Sequence, residues 1–388
     1  MKFDDFEFAR LSLAQRAALR HVEDVVCREE AAVHPRLSDL LQHAGCAVDG
    51  YSEAMECVRE HARVVVHFHP DRLGAKSSTV AEALLSEGIY RNQFETGLSS
   101  GGLSAFRGGA RDAWELTLFG GAYHMGAVPA SERPKYGALE LVRFPDGPIP
   151  RFGSCYFVLR PSVSMRTSFT FMGSEDPRAT ERLGLIDQMD CVMTALLAEI
   201  EEGGMASPPW PPFRAPTLGV PNLTVFRLLK DIIKDLQQPR REPAEGELGR
   251  VLDTEIEAQV HGPIELHRDV ELLVADPAFV ETPTGARLRE LALRNGIPLR
   301  WHPGFRLSVN DVPDYFRGPA MVRLASRIAG EDGMLDAAVI GSAEASLRKQ
   351  PDAWRDWGDS AEVLQHLKQL WHVLVHYGLP ARDTRPTS

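Results

Sequence analysis

The chain has 388 residues, of which 44% are hydrophobic, and a formal net charge of −11 at pH 7. The length predicts one large α+β domain or two to three packed units, and the apolar content excludes a chain that is disordered throughout. The acidic balance argues against a nucleic-acid partner, because proteins that bind the phosphate backbone usually carry a basic stripe.

The cysteines and the N-terminal residues indicate the compartment. The five cysteines are odd in number and form no Cys-x-x-Cys pair, which is typical of buried free thiols in a reducing compartment. No apolar run approaches the roughly 20 residues that cross a bilayer. The first residues, MKFDDFEF, lack the apolar core of a secretory signal. We therefore expect a soluble protein with no membrane partner, in a cytoplasmic setting.

The predicted elements run from helices to a mixed sheet and back to helices. Apolar residues recur at helical spacing over 8–63 and again over the tail 319–378. From 64 to 172, short β-rich runs alternate with Gly, Pro and Ser turns. Within that region, 78–91 is predicted to be a helix that ends near Gly88.

The next part of the chain contains a further helix, a connector and two strands. Residues 178–201 have a helical pattern, and the segment 203–221 contains six prolines, which indicates a connector rather than a packed element. The runs EIEAQVHGPIEL and VELLVADPAFV are predicted to be strands.

The stretch VVVHFHPDR (64–72) admits three interpretations. His67 and His69 lie two apart in a predicted strand, so both side chains project from one face and could belong to a metal site. A His-Pro-Asp turn of a J-domain co-chaperone would need a basic helix before it, whereas the valines favour a strand. In the third interpretation, Arg72 leaves the end of the strand and can bind a phosphate pair through two charge-assisted hydrogen bonds.

Two later motifs follow Arg72 in chain order. Ser154 lies at the head of an apolar strand in RFGSCYFVLRP, where it follows Phe152 by two residues. Glu255 and Glu257 lie two apart at the start of a strand in DTEIEAQVHGPIEL. Because two carboxylates on one face of an extended chain repel each other when buried, the pair favours a chemical role unless both are solvated.

The chain thus has an arginine after a first strand, a serine at the head of a middle strand and a Glu-x-Glu pair before a late strand. This order is found in mono-ADP-ribosyltransferases of the Arg-Ser-Glu class. The motifs HFHPDR, YRNQFETGLSSGG, RPKYGALEL, PRFGSCYFVLRP and EIEAQVHGPIEL resemble the CteC-type bacterial effector family, over roughly residues 60–310. Members of that family attach ADP-ribose from NAD to a threonine of host ubiquitin. The middle strand departs from better-known toxins, since it reads Gly-Ser-Cys instead of Ser-Thr-Ser.

The resemblance implies an α+β fold with a split, mixed β core of the ADP-ribosyltransferase type, flanked by helical segments. The domains would be an N-terminal helical segment at 1–60, a catalytic domain at 61–310 that includes the connector, and a C-terminal helical segment at 311–388. NAD would be the substrate, ubiquitin the protein acceptor, and no metal would be needed. An effector of this kind would enter a host cytosol without a cleavable signal peptide.

The resemblance also implies a role for each matching residue. Cleavage of the nicotinamide–ribose bond develops an oxocarbenium-like ribose. Glu257 would bond the ribose 2′-hydroxyl and stabilise this charge, while Glu255 would position or deprotonate the acceptor. Arg72 would bind the diphosphate, and Ser154 would hold the catalytic glutamate and the ribose in place.

Three further residues are predicted to contact NAD. Tyr136, in RPKYGALEL, and Phe152 would flank the nicotinamide or the adenine, and His69 would bond a ribose hydroxyl; core packing would explain the same residues equally well. Two other functions stay open at this point. One is a metal-dependent hydrolase built on His67 and His69, and the other is a non-enzymatic interaction module that uses the flanking helices.

Overall fold

The structure is a computed structural model that describes residues 8–74, 77–98, 104–203, 215–243 and 246–381. The helices within these ranges are α1 Leu13–His43, α2 Val48–His61, α3 Val80–Glu87, α4 Gln93–Thr96, α5 Ala110–Leu118, α6 Pro161–Ser164, α7 Asp190–Glu201, α8 Val225–Arg227, α9 Ile233–Asp235, α10 Leu266–Asp269, α11 Pro283–Asn295, α12 Ala320–Ile328, α13 Ala337–Lys349 and α14 Ser360–Tyr377. A π-type turn, Leu228–Ile232, joins α8 to α9.

The strands form one large mixed sheet and two small sheets of two strands each. They are β1 Arg63–Phe68, β2 Ile89–Tyr90, β3 Lys135–Glu140, β4 Cys155–Leu159, β5 Thr167–Phe171, β6 Leu183–Leu185, β7 Ile256–Val260, β8 Ile264–Glu265, β9 Val270–Ala275, β10 Leu299–Trp301, β11 Leu307–Ser308 and β12 Met334–Leu335. The large sheet has the order β10-β9-β4-β1-β3-β7-β5-β6, while β2 pairs with β8 and β11 with β12.

The large sheet is antiparallel throughout except for the β9–β10 pair, which is parallel. The predicted α+β class with a mixed central sheet and flanking helices is therefore confirmed. Hydrogen bonding is continuous across the eight strands of the large sheet, and the four remaining described strands form the two small sheets.

Strand β1 lies near the middle of the sheet, and its position explains its run of valines. Val64 and Val66 face the main core, whereas Val65 faces a second cluster with Tyr156 and Val158 on the other side of the sheet. A strand that is covered on both faces has no solvent side, so it needs no polar alternation. β-Branched residues suit such a strand because they pack well on a pleated surface.

Helix α3 borders the candidate site, and its ends follow from local sequence. Thr79 caps its N-terminus, because its hydroxyl accepts from the backbone N–H of Glu82 while the Glu82 carboxylate accepts from the N–H of Thr79. Gly88 ends the helix with φ +67°, a left-handed conformation that glycine adopts without strain. The predicted end of this helix near Gly88 is confirmed.

The predicted helix over 178–201 is only partly correct. Its second half is α7, but the first half contains a 3-10 turn, Ala179–Arg182, followed by β6. Leu183 pairs with Thr170 of β5 and is fully buried, so pairing at the sheet edge prevails over the helical pattern. In the predicted connector 203–221, residues 204–214 lie outside the described ranges.

One hydrophobic cluster draws side chains from all three predicted segments of the chain. Leu41 of α1, Val66 of β1 and Trp371 of α14 all belong to it. This cluster thus spans all three predicted segments, and the domain boundaries proposed from the sequence stay predictions. Among the described helices, none is both long and apolar enough to cross a membrane.

Candidate functional site

A cavity of about 440 Å³ lies beside the C-terminal end of β1. Its wall is formed by residues from β1, β2, β3 and β7, from α3, α4 and α5, and from the segments between these elements. Six residues that the sequence analysis singled out line this cavity: His67, His69, Arg72, Tyr136, Phe152 and Glu257. The fold thus brings together side chains that lie far apart in the chain.

Glu257 lies in β7, where it is paired with Ala138 of β3 and Thr170 of β5. Its Oε1 atom accepts two hydrogen bonds, from Gln259 Nε2 at 3.0 Å and from the backbone N–H of Ser174 at 3.2 Å. The Oε2 atom receives no hydrogen bond from any described residue. Burial raises the pKa of Glu257, and the Arg111 guanidinium opposes this shift.

Gln259 connects Glu257 to a hydrogen-bonded chain inside the sheet. Its amide nitrogen donates to Glu257 and also to Thr170 Oγ1, at 2.9 Å. Its amide oxygen has no proton to give, so it accepts from Ser168 Oγ, at 2.8 Å. Gln259 itself is completely buried, so its orientation is set by these three partners.

The chain of hydrogen bonds continues from Ser168 to His261 and Tyr123, and the donor of each bond can be assigned from its neighbours. Because the Ser168 hydroxyl proton points to Gln259, His261 Nε2 donates to Ser168 Oγ across 3.1 Å. His261 Nδ1 then accepts from the Tyr123 hydroxyl at 2.5 Å. Burial lowers the pKa of His261 to about 3 and raises the pKa of Tyr123 well above its usual value, so both are neutral. All donors therefore point towards the Glu257 carboxylate.

Arg72 lies just after β1 and is held at the cavity wall by two interactions. Its Nε atom lies 3.1 Å from Oε2 of Glu344 in α13, and its carbonyl oxygen accepts from the N–H of Val80 in α3. The side chain is 14% exposed, so this ion pair is shielded from solvent. The C-terminal helices thus help to position the arginine that the first strand supplies.

Arg111, a residue that the sequence analysis did not single out, also lines the cavity. Its guanidinium lies 4.1 Å from the ring centroid of Tyr136, a cation–π distance. Its Nε and Nη1 atoms are buried and have no hydrogen-bond partner among the described residues. The sequence feature that could have indicated Arg111 is its place in the first turn of a helix that begins directly after two glycines. The glycine- and serine-rich run before those glycines, however, is typical of a flexible loop.

A buried ion-pair network holds the Tyr136 ring in place. The Tyr136 hydroxyl donates to Glu115 Oε1 at 2.8 Å, and Arg133 Nη1 donates to the other oxygen of the same carboxylate at 2.7 Å. Arg133 also pairs with Asp112, one turn earlier in α5. Because each charge has a partner, the network fixes α5 against β3 and presents Tyr136 to the cavity as a rigid surface.

Ser154 and Glu255 do not line the cavity, in contrast to the six residues above. Ser154 is 2% exposed, and its Oγ atom has no hydrogen-bond partner among the described residues. Burial raises the pKa of Glu255 to about 8, while Arg151 opposes the shift and Glu257 adds to it. Glu255 is therefore protonated at neutral pH and must lose its proton before it can act as a base.

A family model described as Protein of unknown function (DUF3626) matches residues 63–377. The chain belongs to the DUF3626 family. The DUF3626 match begins at β1 and ends in α14, so it includes both the cavity and the C-terminal helices that support Arg72. No curated protein matches the chain.

The two histidines of the metal interpretation have other partners in this DUF3626 protein. His67 Nδ1 lies 3.1 Å from the carbonyl oxygen of Gly153, and the His69 ring packs edge-on against Trp371 with 5.0 Å between centroids. Burial lowers the pKa of His67 to about 3. In the part of the chain that the structure describes, no group of three or more His, Cys, Asp or Glu side chains could hold a metal ion.

Proposed function

We propose that this protein is an NAD-dependent mono-ADP-ribosyltransferase that transfers ADP-ribose to a protein acceptor and releases nicotinamide. The observation that carries the proposal is the common cavity of Glu257, Arg72 and Arg111, whose wall also contains Tyr136 and Phe152. A cavity of about 440 Å³ lies within the range of small-molecule sites, which combine apolar walls with a few polar groups.

Two arginines meet the first demand of an NAD site, which is to bind the anionic diphosphate. Arg72 provides the guanidinium that the sequence analysis assigned to this role. Arg111 provides a second one, whose unpartnered Nε and Nη1 atoms suit the oxygens of a phosphate. Both side chains would orient the ribose by holding the group next to it.

Glu257 meets the second demand, which is to stabilise positive charge on the ribose. Its Oε1 atom is occupied by Gln259 and Ser174, so Oε2 is the atom that would accept from the ribose 2′-hydroxyl. The bond between nicotinamide and ribose breaks, and its electron pair leaves with nicotinamide. A carboxylate beside the developing cation lowers the energy of this step.

The acceptor hydroxyl then forms a bond to the ribose and gives up its proton. Glu255 is our candidate for positioning the acceptor or taking that proton, and its pKa of about 8 makes it a base only in alkaline solution or after its surroundings change. Ser154 does not line the cavity, so Gln259 and Ser174, which donate to Glu257, take the holding role that the sequence analysis gave to Ser154. Tyr136 and Phe152 would flank the nicotinamide or the adenine, and His69 would bond a ribose hydroxyl.

The acceptor is proposed from the resemblance to CteC-type effectors. On that basis it is a threonine of ubiquitin, modified in a host cytosol. The net charge of −11 favours an acceptor with a basic face, since opposite potentials speed encounter.

The decisive experiment compares wild type with Glu257→Gln and a control, Glu281→Gln, which changes an exposed glutamate. The assays are nicotinamide release from NAD and transfer of label from biotin-NAD to proteins of a eukaryotic lysate, with mass spectrometry of the labelled protein. We expect Glu257→Gln to bind NAD with unchanged affinity and to lose activity by several orders of magnitude. Wild-type labelling by Glu257→Gln, or no NAD binding by wild type, would overturn the proposal.

A further inference from the structure

A cluster of basic side chains lies outside the cavity wall and has no role in the proposed reaction. It consists of Arg151, Arg317, Lys368 and His372, and we refer to it as the basic cluster. Arg151 belongs to the 3-10 turn Pro150–Phe152, whereas Lys368 and His372 belong to α14.

The two arginines of the basic cluster share one carboxylate. Arg151 Nη1 lies 2.9 Å from Oδ1 of Asp253, and Arg317 Nη2 lies 3.9 Å from Oδ2 of the same residue. The three side chains are between 22 and 25% exposed, so a ligand from solvent can reach them. Because two arginines share one aspartate, the three side chains together carry a net positive charge.

Helix α14 brings two further basic groups to the same place. The Trp371 indole N–H donates to the carbonyl oxygen of Pro150 at 2.9 Å, which fixes α14 directly against the turn that carries Arg151. Lys368 precedes Trp371 by three residues and therefore lies on the same face of the helix. His372 follows Trp371, and its ring is 4% exposed.

Several donors of the basic cluster lack an acceptor. The Nε atoms of Arg151 and Arg317 and both ring nitrogens of His372 are buried without a hydrogen-bond partner among the described residues. No described carboxylate forms an ion pair with Lys368. A buried donor without a partner destabilises the folded protein, so an acceptor that binds here would be favoured.

The charges in the cluster also repel one another. Burial, together with the cations of Arg151, Arg317 and Arg72, lowers the pKa of Lys368 to about 8, against a smaller opposing effect of Glu175. The same cations and burial hold the pKa of His372 well below its usual value, so its ring is neutral. An anion placed among these groups would remove the repulsion and accept from the unpartnered donors.

We propose that the basic cluster binds a phosphate group. A tetrahedral oxyanion offers several acceptor oxygens in different directions, which suits donors that converge from three separate parts of the chain. The neutral His372 ring can donate one N–H to the same oxyanion. The proposal does not depend on ADP-ribosyl transfer, because none of the four side chains lines the cavity.

The test measures the binding of inorganic phosphate at pH 7 by isothermal titration calorimetry, with ionic strength held constant by sodium chloride. The variants are Arg317→Met and Lys368→Met, which remove charge and keep much of the side-chain length. Lys349→Met, at an exposed lysine, is the matched control. We expect Arg317→Met and Lys368→Met to weaken phosphate binding by about tenfold or more, and the control to bind as wild type does.

A second measurement isolates the contribution of Lys368. Sulfate keeps a constant charge between pH 7 and 9, so any change in its affinity reports on the protein. Because the pKa of Lys368 is about 8, we expect wild type to bind sulfate more weakly at pH 9 than at pH 7. Lys368→Arg, whose charge persists at pH 9, should retain its affinity. This variant also keeps the test valid if Arg317→Met does not fold.

Phosphate affinity that is equal in wild type, Arg317→Met and Lys368→Met would overturn the proposal, as would no phosphate binding by wild type. Repeating the titration with saturating NAD on Glu257→Gln identifies the source of the group. Displacement of phosphate indicates that the cluster holds a phosphate of the dinucleotide. Unchanged phosphate affinity indicates a separate phosphorylated ligand. Either result is independent of transferase activity.

Discussion

The amide nitrogen of Gln259 lies 3.0 Å from Oε1 of Glu257, two residues earlier in the same strand. Side chains two apart in a strand lie on one face of the sheet, so this contact follows directly from the strand geometry of β7. Its consequence is that one carboxylate oxygen of Glu257 is occupied by a donor whose own orientation is fixed by Ser168 and Thr170. Glu257 therefore presents a defined oxygen to the cavity.

Replacing Gln259 with leucine should raise the pKa of Glu257 further. The substitution removes a donor to the carboxylate and leaves burial as the dominant effect. In a pH profile of NAD hydrolysis, we expect the acidic limb to shift to higher pH, with a lower kcat and an unchanged Kd for NAD. A merely structural role for Gln259 would leave the position of that limb unchanged.

Ser168→Ala is the matched variant, because it removes the next hydrogen bond of the chain and leaves Gln259 in place. We expect a shift of the acidic limb in the same direction as for Gln259→Leu, but smaller. A larger shift of the acidic limb in Ser168→Ala than in Gln259→Leu would contradict this order of hydrogen bonds, in which Ser168 acts on Glu257 through Gln259.

Arg111→Met should weaken NAD binding by about tenfold or more, because a hydrogen bond to a charged group contributes about 1.5–3 kcal/mol. Calorimetric titration of NAD measures the effect. The comparison variant is Arg294→Met, which changes an arginine whose side chain is 60% exposed on α11. Equal NAD affinity in both variants would show that Arg111 does not contact the ligand.

Glu255→Gln should stabilise the protein in a pH-dependent way. Between the usual pKa of 4.5 and the value of about 8 in the folded state, the folded protein retains a proton that the unfolded chain releases. The burial of Glu255 therefore costs stability that increases as pH rises through this interval. Glutamine has no such proton, so we expect Glu255→Gln to exceed wild type in stability at pH 8 by about 1 kcal/mol or more.

Urea unfolding of Glu255→Gln and wild type at pH 4.5, 6 and 8 checks the sign of this effect. The buried carboxyls of Asp71 and Asp276 also have raised pKa values, but they are present in both proteins and cancel in the difference. A stability difference that stays constant from pH 4.5 to 8 would indicate that Glu255 titrates normally.

Gly153→Ala should destabilise the sheet beside the cavity. The backbone at Gly153 is extended, so any residue can adopt it, but an added Cβ would meet the backbone of Phe68 in β1. Overpacking of this kind costs about 1–3 kcal/mol. Gly330→Ala is the control, since its nearest neighbour would be Asp332 Oδ1 at 3.6 Å. Urea midpoints should fall in the first variant only.

The sequence was sufficient to predict the elements that carry the site. The valine run before Arg72 predicts a buried strand, and the alternation around Glu257 predicts another, because burial on a pleated surface imposes these patterns. The helices at both ends follow from their periodicity. Local pattern therefore located the two charged residues, Arg72 and Glu257, that strands β1 and β7 bring to the cavity.

The remaining features depend on contacts between distant parts of the chain. Arg111 acquires its importance from Tyr136, on which it stacks, and no local pattern predicts that contact. Ser154 and Glu255 have suitable positions in the sequence, but neither is among the residues that line the cavity. The edge strand β6 was missed because pairing with β5 outweighs a helical pattern.

The hydrogen bond from Trp371 to Pro150 joins residues 221 positions apart. A ribosome synthesises a protein from its N-terminus, so the sheet and the cavity residues emerge well before α14 does. Until α14 has been synthesised, the turn that carries Arg151 lacks the hydrogen bond from Trp371. Arg72 likewise lacks its ion pair until Glu344 has been synthesised. The growing chain thus completes its charged sites only after α14 has been synthesised.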